Sequence, residues 1–174
     1  DRFDVHLLLR PSAKNQRAFN RYAYTKGLRI HWGDLGNFDD VENAARDADY
    51  ILHAGALIAP EADRLPAQAF RANVVGTKNL IDAVKKQGKE NHVRFVYISS
   101  IAIYGDRLGP VHQIRVGDPI NPSIGDLYGL TKIAAERSVI ESGIKHWAAL
   151  RQTYIAIPKA WTLMDPIMFH QPLN

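Results

Sequence analysis

Two side chains of complementary chemistry stand four residues apart in the second half of the chain. Tyr128 and Lys132 enclose the run Tyr-Gly-Leu-Thr-Lys, and at this spacing they share one face of a helix. A phenol with a pKa near 10 becomes a useful base at neutral pH only after a shift of roughly two to three pKa units, about 3–4 kcal/mol. A nearby lysine charge in a partly dry cleft acts on that scale. The pair therefore predicts a proton-transferring phenol, although the same spacing is also common on solvated helix faces.

A pair of serines ends an apolar segment upstream of this tyrosine. Ser99 and Ser100 follow Val96-Tyr97-Ile98, and ligands of open α/β sheets bind where the strands end. A hydroxyl group at that place can hydrogen-bond the same substrate oxygen that Tyr128 protonates or deprotonates. The alternative is ordinary turn chemistry after a strand.

The elements that must position these residues alternate between strand and helix patterns. Apolar segments predict strands at 3–9, 27–32, 49–53, 92–99 and 147–151. Helical patterns predict helices at 13–24, 37–47, 66–87 and 126–142. Because the strands are apolar without a strict period of two, they indicate a parallel sheet buried on both faces. The fold class predicted is α/β, a doubly wound, Rossmann-like parallel sheet.

The composition excludes several other classes of protein. The chain has 174 residues, 46% hydrophobic and 23% charged, which is ordinary for a globular domain. Its longest nearly apolar run, 51–60, is far shorter than the roughly 20 residues of a membrane helix. A net charge of +4 from scattered basic residues does not favour nucleic acid as a partner. The lack of Cys fits a cytoplasmic location, and the seven His residues show no metal-ligand spacing.

Several short motifs, each weak alone, occur together in one order. They are Gly33-Asp34-Leu35, His53-Ala54-Gly55-Ala56, Asn73-Val74-Val75-Gly76-Thr77, the run from Ser99 to Gly105, the run from Tyr128 to Lys132, and Leu150-Arg151. In order and spacing the chain resembles the extended short-chain dehydrogenase/reductases, also called the NAD-dependent epimerase/dehydratase family. The resemblance spans about residues 3–153.

This resemblance implies roles for the side chains of Ser100, Tyr128 and Lys132. The family's catalytic Ser or Thr stands four residues before a Tyr-Gly pair, which selects Ser100 over Ser99. Tyr128 is then the acid/base, and Ser100 orients the substrate oxygen. Lys132 lowers the pKa of Tyr128 and binds the nicotinamide ribose.

The resemblance also implies a set of cofactor-binding residues. Asp34 and Leu35 are expected beside the adenine, with Asp34 near its amino group. Ala54, Gly55 and Ala56 are expected along the phosphates and ribose, where small side chains allow close approach.

Three further residues belong to this predicted cofactor site. Asn73 either meets the cofactor or pins a neighbouring strand, and a buried Asn satisfied by backbone groups is an equal alternative. Gln152 and Thr153, after the last strand, are expected near the nicotinamide.

The end of the first predicted strand bears on the choice of cofactor. In dinucleotide-binding folds an acidic residue near this place binds the ribose 2′-hydroxyl, whereas an Arg accommodates a 2′-phosphate. Here Arg10 and Lys14 stand nearby and no acid does. The sequence therefore favours NADP over NAD, with a solvated surface pair as the alternative.

The family's first strand and glycine-rich turn have no counterpart before Phe3. In the family's sheet order that strand lies between the strands predicted at 3–9 and 49–53, so we expect a space there or another segment filling it. We assign residues 1–157 to an incomplete nicotinamide-dinucleotide-binding domain and 158–174 to the start of a substrate-binding region. Expressed alone, the 174 residues are not expected to form a stable, cofactor-competent domain.

The leading functional hypothesis is an NAD(P)-dependent oxidoreductase acting on a carbinol or carbonyl carbon of a small-molecule substrate. The alternative is a nucleotide-sugar epimerase or dehydratase, which uses the same trio and returns the hydride. Arg10 favours the reductase. A non-catalytic nicotinamide-binding regulator is a third hypothesis, against which the presence of Tyr128 and Lys132 argues. A homodimer is a further option.

Overall fold

A computed structural model of the chain describes residues 3–106 and 114–153. The strands are β1 (Val5–Leu9), β2 (Leu28–Trp32), β3 (Tyr50–His53), β4 (Arg94–Ser100) and β5 (His146–Gln152). The α-helices are α1 (Ala13–Phe19), α2 (Phe38–Ala44), α3 (Glu61–Arg64), α4 (Pro66–Ala69), α5 (Gly76–Lys86) and α6 (Leu127–Ile140). The predicted domain boundary after residue 157 lies outside the described residues and stays a prediction.

All strand pairings of the described residues are parallel, which confirms the predicted α/β class. β1 pairs with β2, and β3, β4 and β5 form a second group in that order. Within the described residues no hydrogen-bonded pairing joins β1 to β3. The expectation that these two strands are not direct neighbours is therefore confirmed.

Helix α2 connects the two groups of strands. It packs against β1, β2 and α5. Val41 of α2 and Ala45, which caps the end of the helix, belong to one hydrophobic core with Ile81 and Val84 of α5. Leu8 of β1 packs against that core. A shared helix layer thus holds the two parts of the sheet together.

The centre of the core lies between β4 and the helices α5 and α6. Phe95 and Tyr97 of β4 are buried in the same cluster as Ala135 and Val139 of α6. Burying one such large side chain contributes about 1.5–3 kcal/mol. This packing fixes α6 over β4, and these two elements carry the predicted catalytic residues.

The long helix predicted at 66–87 is interrupted by a segment of π-helix. The turns at Pro66–Ala69 and Gly76–Lys86 are α-helical, and Phe70–Val75 between them is π-helical. Asn73 and Val74 in this segment are both buried. Single π turns within α-helices are often found at functional sites.

Other boundaries differ modestly from the prediction. The helix predicted at 13–24 ends at Phe19 and continues as a 3₁₀ turn, Asn20–Tyr22. Asn37 caps α2 as predicted, since its side chain accepts hydrogen bonds from the backbone N–H groups of Asp39 and Asp40. No helix in the described part of the chain has the length and hydrophobicity that a membrane crossing requires.

Candidate active site

Helix α6 begins next to the end of β4 and carries both Tyr128 and Lys132. Asp126 caps the helix, because its carboxylate accepts a hydrogen bond from the Gly129 N–H at 2.7 Å. Tyr128 thus stands in the first turn and Lys132 one turn later, as the spacing predicts. The Lys132 Nζ atom lies 5.9 Å from the centroid of the Tyr128 ring.

Ser100 is the last residue of β4 and lies beside Gln152 of β5 in the strand register. Its hydroxyl accepts a hydrogen bond from the Ala102 N–H at 3.1 Å. Its side chain also interacts with that of Tyr128 closely enough to lower the pKa of the phenol. The structure therefore brings together the three residues that the sequence singled out.

Lys132 is a buried cation with well-defined partners. Its side chain is 3% exposed, and Nζ donates a hydrogen bond to the Ile98 carbonyl oxygen at 2.6 Å. Nζ also lies 4.7 Å from the centroid of the Tyr97 ring, a favourable cation–π distance. Burial lowers the pKa of Lys132 to about 8, and the negative charge of Glu136 opposes that shift.

The electrostatics of Tyr128 differ from what the resemblance implies. Burial raises the pKa of Tyr128, the interaction with the Ser100 side chain lowers it, and the carboxylate of Asp126 raises it again, with burial the largest effect. The net direction is upward, whereas we expected Lys132 to lower it. Burial therefore decides the net direction, and the Lys132 ammonium group donates its hydrogen bond to the Ile98 carbonyl oxygen in this structure.

Asp34 and Leu35 lie at the carboxyl end of β2, in the loop before α2. The Asp34 carboxylate accepts a hydrogen bond from the Gly36 N–H at 2.7 Å and is 3.8 Å from the Arg71 guanidinium group. Leu35 fits against two glycines, because a Cβ added at Gly55 or Gly76 would come within 2.7 Å of its side chain. These contacts bring the carboxyl ends of β2 and β3 together.

The segment after β3 has the openness expected for cofactor approach. Ala54 and Gly55 are exposed, and Ala56 is half-buried. Asn73 holds this segment in place, because its side-chain amide exchanges hydrogen bonds with the backbone of Leu57 at 2.7 and 2.9 Å.

Asn73 takes the second of its two expected roles, pinning a neighbouring segment. Its Nδ2 group also donates to Thr131 Oγ1 of α6 at 2.8 Å, and the side chain is buried. Both amide protons are thus used within the protein. Asn73 ties the segment after β3 to the helix that carries Tyr128.

The remaining predicted residues lie at the same edge of the sheet. Arg10 directly follows β1, and Lys14 stands in the first turn of α1, and both are exposed. Gln152 ends β5 half-buried, and Thr153 follows it exposed. In the described structure no hydrogen bond or ion pair joins the side chains of these four residues to Tyr128 or Lys132.

Three buried residues around the trio were not among the predicted site residues. His53 is held by a 2.9 Å hydrogen bond between Nε2 and Thr77 Oγ1, and burial, then the Lys132 charge, lowers its pKa to about 3. The Tyr97 hydroxyl is buried without a hydrogen-bond partner among the described residues, and burial raises its pKa. Glu136 lies one turn after Lys132, and this four-residue spacing could have indicated from the sequence that the two side chains share a helix face.

These residues fit a nicotinamide dinucleotide. The glycine at 55 is required by Leu35, and the exposed Ala54–Gly55 backbone at a strand end leaves room for a close-lying ligand. The half-exposed Asp34 carboxylate offers an acceptor. No group of three or more His, Cys, Asp or Glu side chains in the described residues could hold a metal ion.

One family model matches most of the chain. The model of the NAD dependent epimerase/dehydratase family matches residues 3–150. The chain belongs to this family. The resemblance inferred from the short motifs is therefore confirmed.

The chain matches only part of the length of its curated relatives. GDP-6-deoxy-D-mannose reductase of Pseudomonas aeruginosa is 36% identical over 107 residues, which are 59% of this chain and 33% of that enzyme. The chain spans about a third of the length of such curated relatives.

Two solved structures of this kind carry a cofactor. UDP-glucose 4-epimerase of Thermus thermophilus, in complex with NAD, is 27% identical with a TM-score of 0.64, covering 75% of this chain and 42% of that one. RMD from Pseudomonas aeruginosa, complexed with NADPH, is 26% identical with a TM-score of 0.60, covering 86% and 53%.

The low pKa of Lys132 makes stability depend on pH in a defined direction. Near pH 7 this lysine is charged in both the folded and the unfolded protein, and the folded protein carries the full free-energy cost of burying the charge. Between about pH 8 and the ordinary value of 10.5 the folded protein releases the proton first, so its stability rises with pH. Between pH 7 and pH 9.5 the free energy of unfolding of the parent should rise by about 2 kcal/mol relative to that of Lys132→Met.

Denaturant unfolding of the full-length protein without cofactor, at both pH values, measures this difference. Lys78→Met is the control, because Lys78 is exposed on the neighbouring helix α5. A parent-minus-variant difference that is the same at both pH values would show that Lys132 is not buried as a cation.

Proposed function

We propose that the full-length protein is a nicotinamide-dependent oxidoreductase that acts at a carbinol or carbonyl carbon of a nucleotide-linked sugar. The observation that supports this most directly is that Ser100, Tyr128 and the buried ammonium group of Lys132 lie together at the end of β4, with Lys132 Nζ 5.9 Å from the centroid of the Tyr128 ring. The relative named GDP-6-deoxy-D-mannose reductase supports the class of substrate, a nucleotide-linked sugar.

In the reductive direction the chain's own groups supply a proton and hold an oxygen. The Tyr128 hydroxyl gives its proton to the substrate carbonyl oxygen, while Ser100 hydrogen-bonds the same oxygen. A nicotinamide, when bound, would supply the hydride for the carbonyl carbon, and the product would be an alcohol. The positive charge of Lys132 favours the phenolate that remains on Tyr128.

The same proposal assigns the cofactor contacts. Asp34 and Leu35 hold the adenine end, Ala54, Gly55 and Ala56 run along the phosphates, and Lys132 binds the ribose next to the nicotinamide. Gln152 and Thr153 contribute at the end of β5. Asn73 acts indirectly, by holding the segment after β3.

A preference for NADP is part of the proposal. Arg10 and Lys14 are exposed beside the end of β1, and neither side chain has an ion-pair partner among the described residues. A guanidinium group binds a phosphate through charge-assisted hydrogen bonds. A cytoplasmic location and a homodimer stay predictions.

The second candidate is a nucleotide-sugar epimerase or dehydratase, supported by the structural likeness to UDP-glucose 4-epimerase. An epimerase returns the hydride, so it converts substrate without net consumption of cofactor. A reductase consumes one NADPH for each product formed. Following NADPH absorbance together with product formation separates the two. A non-catalytic regulator predicts binding without product.

Tyr128→Phe removes the proton donor and should lower turnover by about 10²–10⁴-fold, while cofactor affinity stays within a few-fold. Steady-state kinetics and calorimetric titration of the full-length protein measure both quantities. Tyr24→Phe, at an exposed position, is the matched control. Lys132→Met should reduce both turnover and cofactor affinity. Full activity of Tyr128→Phe would remove Tyr128 from the reaction.

Arg10→Ala tests the choice of cofactor. The parent should bind NADPH more tightly than NADH. The substitution should reduce the difference between the two binding free energies by roughly 1–3 kcal/mol, the scale of a charge-assisted hydrogen bond. Arg17→Ala, an exposed arginine further along α1, should leave the difference unchanged. Equal affinities of the parent for the two cofactors would make Arg10 a surface residue only.

A further inference from the structure

Glu136 places a buried carboxylate within the structure that supports the trio. It lies on α6 one turn after Lys132 and is 3% exposed. One oxygen accepts hydrogen bonds from Nη2 and Nε of Arg151 at 2.6 and 3.1 Å. The other accepts a hydrogen bond from Ser99 Oγ at 2.5 Å. Both carboxylate oxygens are therefore engaged by partners on different strands.

Arg151 extends this set of contacts to the segment after β4. Its Nη1 group donates to the Tyr104 hydroxyl, and the guanidinium group lies 5.1 Å from the centroid of the Tyr104 ring. The Tyr104 hydroxyl in turn donates to the Arg115 carbonyl oxygen at 3.3 Å. The contacts thus connect α6, β4, β5 and the loop before α6.

The position of Ser99 gives these contacts a functional meaning. Ser99 directly precedes Ser100 at the end of β4, and Glu136 follows Lys132 by one turn of α6. The hydrogen bond from Ser99 to Glu136 therefore joins the strand that presents Ser100 to the helix that presents Tyr128 and Lys132. A shift of α6 along β4 would break it.

We propose that Glu136 is a positioning residue of the reaction, which holds Ser100 and the Tyr128–Lys132 helix face in register through Ser99 and Arg151. This inference rests on the proposed function of the trio. Glu136 touches no reacting atom and acts through its neighbours. Misplacement of catalytic groups by about 1 Å costs on the order of 100-fold in rate, which is the scale on which such a residue matters.

The charge of Glu136 also acts on the pKa of Lys132, which gives a second quantity by which its role can be tested. Glu136 raises the pKa of Lys132 against the effect of burial. The other titratable or charged groups packed around Lys132 and Glu136 are His53 of β3, Tyr97 of β4, Arg151 of β5, Tyr128 of α6 and Tyr104 after β4. Loss of the Glu136 charge leaves the positive charge of Arg151 unbalanced, which disfavours the Lys132 ammonium group further.

Glu136→Gln keeps the shape and most of the hydrogen-bonding groups of the side chain but removes the charge. In the full-length protein we expect kcat to fall about 10- to 100-fold with KM within about 3-fold. We also expect the Lys132 titration midpoint, followed without cofactor by ¹³Cε-lysine NMR and assigned with Lys132→Met, to fall below that of the parent. Restoration of most of kcat by Glu136→Asp would support a role for the charge.

Glu141→Gln is the matched control, because Glu141 forms an exposed pair with Arg137 on the same helix at 2.7 Å. It should change neither kcat nor the Lys132 midpoint. If Glu136→Gln does not fold, Glu136→Gln with Arg151→Met leaves no unpaired charge and should fold with kcat at least about 10-fold below the parent.

These measurements distinguish a failure of the positioning role of Glu136 from a failure of the proposed function. If Tyr128→Phe is inactive while a folded Glu136→Gln keeps the parent's kcat and Lys132 midpoint, the positioning role is wrong and the proposed function stands. Parent-like kcat in the double variant also overturns the role. If Tyr128→Phe is fully active, the proposed function fails, and the positioning role fails with it.

Discussion

The Arg151 guanidinium group and the Glu136 carboxylate meet between α6 and the carboxyl ends of β4 and β5, where little of either side chain reaches solvent. Removal of one partner from such a pair leaves a buried charge and typically costs about 3–5 kcal/mol. Because Ser99 and Tyr104 bond to the same two side chains, the pair fixes the strand end, the helix and the following loop at once. The relation between Ser100 and the Tyr128–Lys132 face depends on it.

Asn73 provides a similar constraint on the opposite side of the site. Its amide joins the segment after β3 to Thr131 of α6, from a π-helical turn that places the side chain in the core. The surface proposed for the cofactor and the proposed catalytic helix are therefore connected by buried hydrogen bonds. Arg10 at the end of β1 is exposed, and its proposed role concerns the choice of cofactor and not the packing of the fold.

Local signals made most of the fold predictable from the sequence. Apolar runs located the strands, and Asn37 marked the start of α2 because an N-cap depends on neighbouring residues only. The π turn and the partners of Glu136 were not predictable in this way, since they depend on contacts between residues far apart in the chain. The upward shift of the Tyr128 pKa was not predictable either, because its largest cause is burial in the folded structure.

The central claim is that Tyr128, Lys132 and Ser100 act together on a substrate beside the nicotinamide of a bound dinucleotide. A crystal structure of the full-length protein with NADP(H) and a substrate or product tests it most directly. We predict that Lys132 Nζ lies about 3 Å from the nicotinamide ribose, with the Tyr128 and Ser100 hydroxyls facing the same substrate oxygen and the Glu136–Arg151 pair intact. A dinucleotide bound with its nicotinamide away from Tyr128, and Lys132 bonded only to the Ile98 carbonyl, would contradict the claim.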